Sequence, residues 1–246
     1  MNARLARAKL AARKFLSILV ILLPSGLKVP VYRHVFGYKI GRRVKIGWSW
    51  INVDTLEIGD YVVIGNLNRF KNTPVVQIGD YTRIGFGNTF TSTYEFTNPQ
   101  RIMIKGNRPE LIIGRHCGIS MLHYFDVQDR LSIGSYATIA GMGSVFFTHY
   151  LDVINATQTT RPITIGQYCM IGSNARCVPG AGVADCSVVA MGTVLTKAFP
   201  DTHVMIGGNP GVVIRKLPKD AAYFRRLVGW IGEFAQSPTG IEQAIQ

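Results

Sequence analysis

The chain has 246 residues, of which 47% are hydrophobic and 17% charged, enough to bury a substantial core. Its four cysteines show no CxxC or zinc-ligand spacing, and we interpret them as packing thiols in a reducing compartment. The net charge of +13 belongs mainly to the start of the chain. Residues 1–53 hold eleven Lys or Arg and no Asp or Glu, whereas the remainder is nearly neutral.

The first predicted element is a helix over residues 4–23. Basic residues precede the apolar run Phe15–Leu23, which stops at Pro24 and is shorter than the stretch of about 20 residues that spans a bilayer. A basic, apolar helix of this kind favours the membrane interface, where anionic cytoplasmic lipid attracts it. An oligomerisation or core-capping helix is the alternative. No groove-reading motif lies nearby, so we do not expect nucleic-acid binding.

A six-residue repeat begins at Ile40 and is clearest in Ile165–Thr196. An apolar residue or a cysteine leads each step, and the residue four places on is small. Neither the 3.6-residue period of a helix nor the alternation of a strand produces this spacing. A chain that turns a corner every six residues does produce it. The repeat therefore predicts an all-β fold, a parallel β-helix built from hexapeptides.

Counting in sixes predicts a three-sided prism of about seven coils. The predicted inward-facing leaders of the three sides are residues 40/46/52, 58/64/70, 78/84/90, 113/119/125, 133/139/145, 165/171/177 and 183/189/195. Every insertion falls at one corner, after the third side, and two insertions are long: 91–111 and 149–164. Loops on a rigid scaffold commonly carry function, so we expect functional residues in these two insertions.

The repeat ends near Leu195, and a helix is predicted from Pro218 to about Gln236. We therefore divide the chain into a basic amphipathic membrane-associated segment (1–37), a hexapeptide-repeat domain (38–217), and a C-terminal helix and tail (218–246).

His149 is the strongest candidate for catalysis. It stands four places after the predicted leader Val145, where the repeat favours a small residue, and it opens the second long insertion. A titratable side chain that breaks a local rule is expected at a functional site, and imidazole is the usual general base near neutral pH. A solvent-exposed corner histidine is the alternative.

Several residues could assist His149. Asp129 lies at the same corner one coil earlier, about 4.8 Å along the prism, and is the first candidate to orient the imidazole. Asp152 and Asp126 are rivals, and the sequence does not choose among them. His123 occupies the slot four places after Ile119, at a different corner, so it would meet His149 only across a subunit interface.

Three segments carry a resemblance to a known family. They are Phe147-Thr-His149, the run VVAMGTVLTK at 188–197, and the ending MIGGNP…RK at 205–216. Together they resemble the hexapeptide-repeat acyltransferases, which include serine, maltose and xenobiotic acetyltransferases and membrane-associated enzymes of polysaccharide synthesis. The resemblance spans about residues 38–217. Met191 and Gly211 depart from the alanines that many members carry.

The resemblance implies a left-handed β-helix, a homotrimer, and acetyl-CoA as acyl donor in a groove between subunits, with no metal. It implies that His149 deprotonates the acceptor for direct attack on the thioester. His123 stands near a relative's asparagine that helps to hold the oxyanion or the acceptor. The implied cofactor contacts are backbone N–H groups near Ala190 and Gly192, a bend at Asn209 and Pro210, and phosphate contacts from Lys197, Arg215 and Lys216.

We therefore expect an acetyl-CoA-dependent O-acetyltransferase that decorates a bacterial surface glycan or its lipid-linked precursor. It would sit on the cytoplasmic face of the inner membrane through residues 1–30. The alternatives are an N-acetyltransferase of an amino-sugar nucleotide and a non-catalytic trimeric membrane scaffold. A carbonic anhydrase on this prism would need a His-x4-His pair, and no two histidines here are five apart.

Overall fold

The computed structural model describes residues 3–92 and 107–229. Within these ranges the chain forms a left-handed parallel β-helix, a prism with three faces that we name A, B and C, as predicted. Two helices precede the prism: α1 (Ala3–Val20) and α2 (Ser25–His34).

The faces are parallel sheets whose neighbouring strands lie one coil apart. Face A comprises Lys39–Ile40, Thr55–Ile58, Val75–Ile78, Glu110–Ile113, Leu131–Ile133, Ile163–Ile165, Gly182–Val183 and Ala198–Phe199. Face B comprises Lys45–Ile46, Val63–Ile64, Arg83–Phe86, Gly118–Met121, Thr138–Met142, Met170–Ile171, Val188–Val189 and Val204–Gly207, with Val212–Lys216 added antiparallel at its end. Face C comprises Trp50–Asn52, Arg69–Lys71, Thr89–Thr91, Tyr124–Asp126, Val145–Phe146, Arg176–Cys177 and Val194–Leu195.

Large apolar side chains stack in register along the inside of the prism. On face C the rings of Phe70, Phe90, Phe125 and Phe146 follow one another at centroid distances of 4.5–4.7 Å. Burying each phenylalanine stabilises the fold by about 1.5–3 kcal/mol relative to leaving it exposed. The repeat therefore places one large apolar side chain from each face of each coil in a continuous core.

Two predicted leaders on face C are wrong. In the first coil Ile51 points inward instead of Asn52, because it pairs with Phe70 and keeps the amide out of the core. In the fifth coil the inward residue is Phe146 rather than Val145, since the phenylalanine stack continues through it. Gly141 and Gly143, both with positive φ, lie in the stretch that carries the extra residue before Phe146.

The corner between faces A and B carries a column of rings. Tyr61, Tyr81, His116, Tyr136 and Tyr168 all have φ between 53° and 62°, the left-handed conformation that lets the chain turn. Their rings stack at 4.6–4.9 Å between centroids. The guanidinium of Arg43 lies over the first ring, 5.5 Å from its centroid.

The helix predicted over residues 4–23 is present as α1, and a second helix that was not predicted, α2, follows it after Pro24. α1 ends at Val20, and Pro24 directly precedes α2. The fixed φ of this proline, −63°, suits the entry to a helix. Lys28 links α2 to the turn after α1 and to the prism, because its buried Nζ donates hydrogen bonds to the carbonyls of Ile21 (3.1 Å) and Gly47 (2.5 Å). No helix in the described part of the chain is long and apolar enough to cross a membrane.

One side of α1 rests on the prism and the other is exposed and apolar. Trp50 Nε1 donates to Ser17 Oγ at 2.8 Å, and Arg13 donates to the carbonyl of Val53 at 2.7 Å. The exposed apolar residues at and just beyond the end of the helix recur at helical spacing: Phe15, Ile18, Leu19 and Leu22. α1 is therefore amphipathic while it is docked.

The C-terminal helix predicted for Pro218–Gln236 differs in its described part. Up to residue 229 the chain forms only the 3-10 turn Ala222–Arg225, and residues 230–236 lie outside the described ranges. Tertiary hydrogen bonds prevail over helix propensity here. Tyr223 Oη donates to the carbonyl of Cys169 at 3.2 Å, and the buried Arg226 donates to the carbonyl of Tyr136.

Candidate active site

His149 lies at the corner between faces C and A, at the root of a hairpin. The predicted insertion 149–164 folds as two antiparallel strands, His149–Asp152 and Thr157–Thr160. His149 Nδ1 is 2.8 Å from Oδ2 of Asp126, whose side chain is only 2% exposed. Asp126 ends the face C strand one coil earlier, so the stacking of coils brings the two side chains together.

The carboxylate of Asp126 is fixed by the residue that precedes the histidine. The backbone N–H and the hydroxyl of Thr148 both lie 3.0 Å from Oδ2. Thr148 Oγ1 in turn accepts the backbone N–H groups of Gln128 (2.8 Å) and Asp129 (3.0 Å). Because Thr148 and Asp126 are buried, this network fixes the carboxylate and thereby the imidazole.

The network also sets the protonation of His149. The hydrogen bond to Asp126 raises the pKa of the imidazole above its ordinary 6.5, against an opposing effect of burial. A carboxylate only accepts hydrogen bonds, so Nδ1 carries the proton and Nε2 is the basic nitrogen of the neutral ring. The His149 side chain is 26% exposed, so the imidazole is accessible from solvent. This is the geometry of a general base.

The acids expected to orient His149 from the sequence take different positions. Asp129 Oδ1 accepts the backbone N–H of Arg130 at 2.8 Å and of Arg108 at 3.3 Å, which closes the adjacent turn. Asp152 lies at the far end of the hairpin, where Oδ1 accepts the N–H of Ile154 (3.0 Å). The prediction that Asp129 orients the imidazole is therefore wrong, and its rival Asp126 does so.

The counting argument for His149 also needs correction. Because Phe146 is the inward residue of its strand, the fully buried side chain at this corner is that of Thr148. His149 stands just outside it. His149 opens the insertion, as predicted, but it does not occupy the small-residue position that the repeat predicts for it.

His123 lies at a different corner from His149, as predicted, and its contacts within this chain are structural. A role for it across a subunit interface stays a prediction. His123 lies between faces B and C, 1% exposed, and its Nδ1 accepts the backbone N–H of Ser144 at 3.1 Å. Its own N–H donates to Asn88 Oδ1 at 3.0 Å, and Asn88 is bonded to Asn68 in the same way. Burial lowers the pKa of His123 to about 4. The neutral, buried imidazole of His123 thus continues a ladder of hydrogen bonds that runs from Asn68 through Asn88 to Ser144 on successive coils.

Two partly exposed aromatic rings beside His149 were missed by sequence reasoning. The ring of Phe147 meets the imidazole edge to face at 5.9 Å, and the ring of Tyr124 lies 5.6 Å from that of Phe147. The available signal was two aromatics next to inward phenylalanines on neighbouring coils. They form a partly exposed apolar platform beside His149.

The predicted cofactor residues fall at three places. Ala190, Gly192, Asn209 and Pro210 lie at the B/C corner of the last coils, with a cis peptide between the last two. Lys197 follows the last face C strand, at the same C/A corner as His149, with Nζ 5.7 Å from the ring centroid of Phe199. Arg215 and Lys216 pair with Met205 and Val204 at the start of the last face B strand.

The backbone N–H groups predicted to meet the cofactor are used within the prism. The N–H of Ala190 donates to the carbonyl of Ile206 at 2.8 Å, and that of Gly192 to the carbonyl of Ser173 at 2.9 Å. Neither of these two N–H groups is free to donate to a ligand, although both residues border the surface. Among the described residues, no group of three or more His, Cys, Asp or Glu could hold a metal ion.

A left-handed prism of hexapeptides with a carboxylate-oriented histidine at a corner resembles the hexapeptide-repeat acyltransferases. No family model matches the chain. The chain is 35% identical over 107 residues to the provisionally named colanic acid biosynthesis acetyltransferase WcaF of Escherichia coli strain K12, covering 44% of this chain and 48% of WcaF. It is 28% identical over 104 residues to the provisionally named acetyltransferase YvoF of Bacillus subtilis, covering 42% of this chain and 58% of YvoF.

Among solved structures, UDP-N-acetylglucosamine acyltransferase from Campylobacter jejuni superposes with a TM-score of 0.55 at 15% identity. The match covers 73% of this chain and 63% of that structure, and it establishes the shared fold. The chain spans about half the length of the curated relatives it matches.

Proposed function

We propose that this chain is an acetyl-CoA-dependent O-acetyltransferase in which His149 is the general base. The observation that carries the proposal is the 2.8 Å contact between His149 Nδ1 and the buried carboxylate of Asp126. It lies at a loop root of a fold shared with acyltransferases, and the chain is similar to proteins named acetyltransferases.

The reaction follows from the state of the imidazole. Neutral His149 takes the proton of an acceptor hydroxyl at Nε2, and the oxygen attacks the thioester carbonyl of acetyl-CoA. The tetrahedral intermediate then expels the CoA thiolate, which receives the proton from the imidazolium. Asp126 stabilises the imidazolium between these steps, since its carboxylate already accepts the Nδ1 proton.

Assembly into a homotrimer is part of this proposal. His149 lies at the C/A corner, whereas four of the predicted cofactor residues lie at the B/C corner, so one chain does not bring them together. Two neighbouring prisms would. The B/C corner also exposes a long row of large apolar side chains that a partner would cover: Trp48, Leu67, Phe86, Leu122, Met142 and Met191.

The acceptor and the location are proposed on separate grounds. The relative named for colanic acid biosynthesis favours a bacterial surface glycan or its lipid-linked precursor as acceptor. The exposed apolar side of α1 and the basic N-terminus favour attachment to the cytoplasmic face of the inner membrane. The platform of Tyr124 and Phe147 would hold a sugar ring beside the base.

Thiol release from acetyl-CoA tests the proposal, with free and lipid-linked sugars and amino sugars as acceptors. The variants are His149→Ala and, as a matched control, His34→Ala, which removes an exposed histidine of α2. We expect glycan-dependent turnover that falls about 10²- to 10⁴-fold in His149→Ala only. Transfer only to amines would favour the N-acetyltransferase, and full activity of His149→Ala would refute the proposed base.

A further inference from the structure

A cavity of about 890 Å³ opens between α2 and the first three coils of the prism. It lies within the range of about 300–1,000 Å³ that is usual for small-molecule sites. Its walls come from α2, including Ser25 and Arg33, and from outward-facing residues of three successive coils, among them Lys45 and Tyr61. His149 lies in the fifth coil, at least two coils away, or about 10 Å along the prism. The cavity is thus separate from the candidate active site.

The lining of the cavity is cationic. Arg33, Arg43, Lys45 and Arg83 all contribute to it, and none of the described lining residues is acidic. Lys39 and Arg42, on the same coil, differ from them, since they form ion pairs with Glu57 and Asp60 at 2.7 Å. Within the described ranges, Arg33, Arg43 and Lys45 have no carboxylate partner. Their charge therefore remains available to an anion.

Two of the guanidinium groups are held by neutral partners. Arg33 donates from Nε to the carbonyl of Ile40 at 3.0 Å and from Nη2 to that of Gly41 at 2.5 Å. Arg43 stacks on Tyr61, which is itself stacked on Tyr81, another lining residue. These contacts restrain the side chains without neutralising them. Restrained guanidinium groups are well suited to bind phosphate oxygens.

Two exposed leucines lie close in the chain to residues that line the cavity. Leu22 is 79% exposed and Leu27 is 59% exposed, and the two flank the lining residues Ser25 and Gly26 in the chain. A ligand with a phosphate head and a hydrocarbon tail would match the cationic lining and these leucines at once. We propose that this cavity binds the phosphate or diphosphate group of a membrane lipid, with the tail directed past Leu22 and Leu27.

This inference deepens the proposed membrane attachment by naming the group that is bound, and it does not depend on acetyl transfer. Two sources share the chemistry: the headgroup of an anionic phospholipid, and the diphosphate that links a glycan precursor to its lipid. The first would fix the enzyme on the membrane, and the second would hold the acceptor itself.

The test compares the full chain with two double variants of equal charge. Arg43→Gln/Lys45→Gln alters the cavity, and Lys39→Gln/Arg42→Gln removes the same charge from the same coil outside it. Arg43, Lys45 and Arg42 are exposed, as is the Lys39 side chain, so we expect unchanged thermal unfolding midpoints. Binding is measured to vesicles of phosphatidylcholine with and without phosphatidylglycerol, and to geranyl diphosphate by calorimetry.

We expect the cavity variant to lose affinity about tenfold or more, while the control variant changes far less. Loss of vesicle binding alone would assign the cavity to phospholipid, and loss of geranyl diphosphate binding would assign it to a lipid-linked precursor. Equal losses in both variants, or none in either, would overturn the inference. If wild type binds vesicles and the cavity variant binds them equally well, the cavity inference fails but the proposed membrane attachment stands. Thiol release from acetyl-CoA tests the transferase proposal independently.

Discussion

Nδ1 of His149 and Oδ2 of Asp126 are 2.8 Å apart although 23 residues separate them in the chain. The contact exists because one turn of the prism returns the chain to the same corner. Asp126 is buried and His149 is partly exposed, so the carboxylate is shielded while the imidazole meets solvent.

Replacing Asp126 by asparagine should slow catalysis and move its pH dependence. An amide can donate to Nδ1, which would place the ring proton on Nε2 and remove the base. Since Asp126 raises the pKa of His149, the rising limb of activity should shift to lower pH in Asp126→Asn. We expect a loss of about 10²- to 10⁴-fold in kcat. The control is Asp152→Asn at the far end of the hairpin, and an unshifted profile in Asp126→Asn would contradict the assignment.

The same contact should contribute to stability in acid. The folded pKa of His149 is raised above its ordinary 6.5. Its stabilising effect is therefore complete below about pH 6.5 and is lost as the pH rises through the folded value. The unfolding free energy of wild type relative to His149→Ala should be largest in acid and decline towards alkaline pH. Denaturant titrations across this pH range measure that difference in unfolding free energy. A difference that grew with pH would refute the linkage.

His123 should be replaceable by asparagine but not by leucine. Asn88 and Asn68 take the same place one and two coils below it, so His123→Asn keeps an acceptor for the N–H of Ser144. His123→Leu leaves that buried N–H unpaired and should cost about 1–3 kcal/mol. Urea unfolding measures both variants. Retention of turnover in His123→Asn would support a structural role, whereas its loss would restore the catalytic interpretation.

His123 should have the opposite effect from His149, because protonating it in acid weakens the fold. Its folded pKa of about 4 lies below the ordinary 6.5, so its contribution is complete above about pH 6.5 and is lost as the pH falls towards 4. His123→Asn should flatten the dependence of unfolding free energy on pH in this window. An unchanged dependence would show that other groups govern acid unfolding.

The B/C corner should control assembly and activity together. Leu122 is half exposed there, so Leu122→Arg should leave the coil intact while opposing burial against a partner. We expect monomers by light scattering and a loss of turnover. Leu151→Arg, on the exposed hairpin strand, is the matched control for assembly. A monomeric but fully active Leu122→Arg protein would show that one chain holds the complete site.

The apolar side of α1 should attach the protein to vesicles. Phe15→Gln/Leu22→Gln removes two exposed side chains, 64% and 79% exposed, without opening the core. Vesicle sedimentation should fall markedly while the unfolding midpoint stays constant. Leu227→Gln, at the other end of the chain, serves as the control. Equal binding by all of these proteins would refute attachment through α1.

The prism was predictable because its signal is local and repeated. Each six-residue step carries its own inward residue, so errors at Asn52 and Val145 did not spread to the remaining coils. The helices were harder to predict. The sequence predicts one helix that ends before Pro24, whereas the second helix depends on contacts such as Lys28 with Gly47, which no local pattern records.

The candidate site could be predicted only in part. His149 was evident as a titratable residue opening an insertion, whereas choosing among Asp126, Asp129 and Asp152 required the path of the chain. All three lie near the same corner in sequence, but only Asp126 points its carboxylate at the imidazole. The platform of Tyr124 and Phe147 likewise depends on the register between two coils.

The sequence by itself determined the parallel β-helix, the corner that carries the insertions, the basic apolar N-terminus and the histidine. These features repeat or stand out locally, and chain order preserves them. The tertiary structure decided which acid orients His149, that His123 is buried, and that α2 encloses a cationic cavity against the prism. Each of those depends on side-chain direction and on distances between coils, which are fixed only when the coils stack.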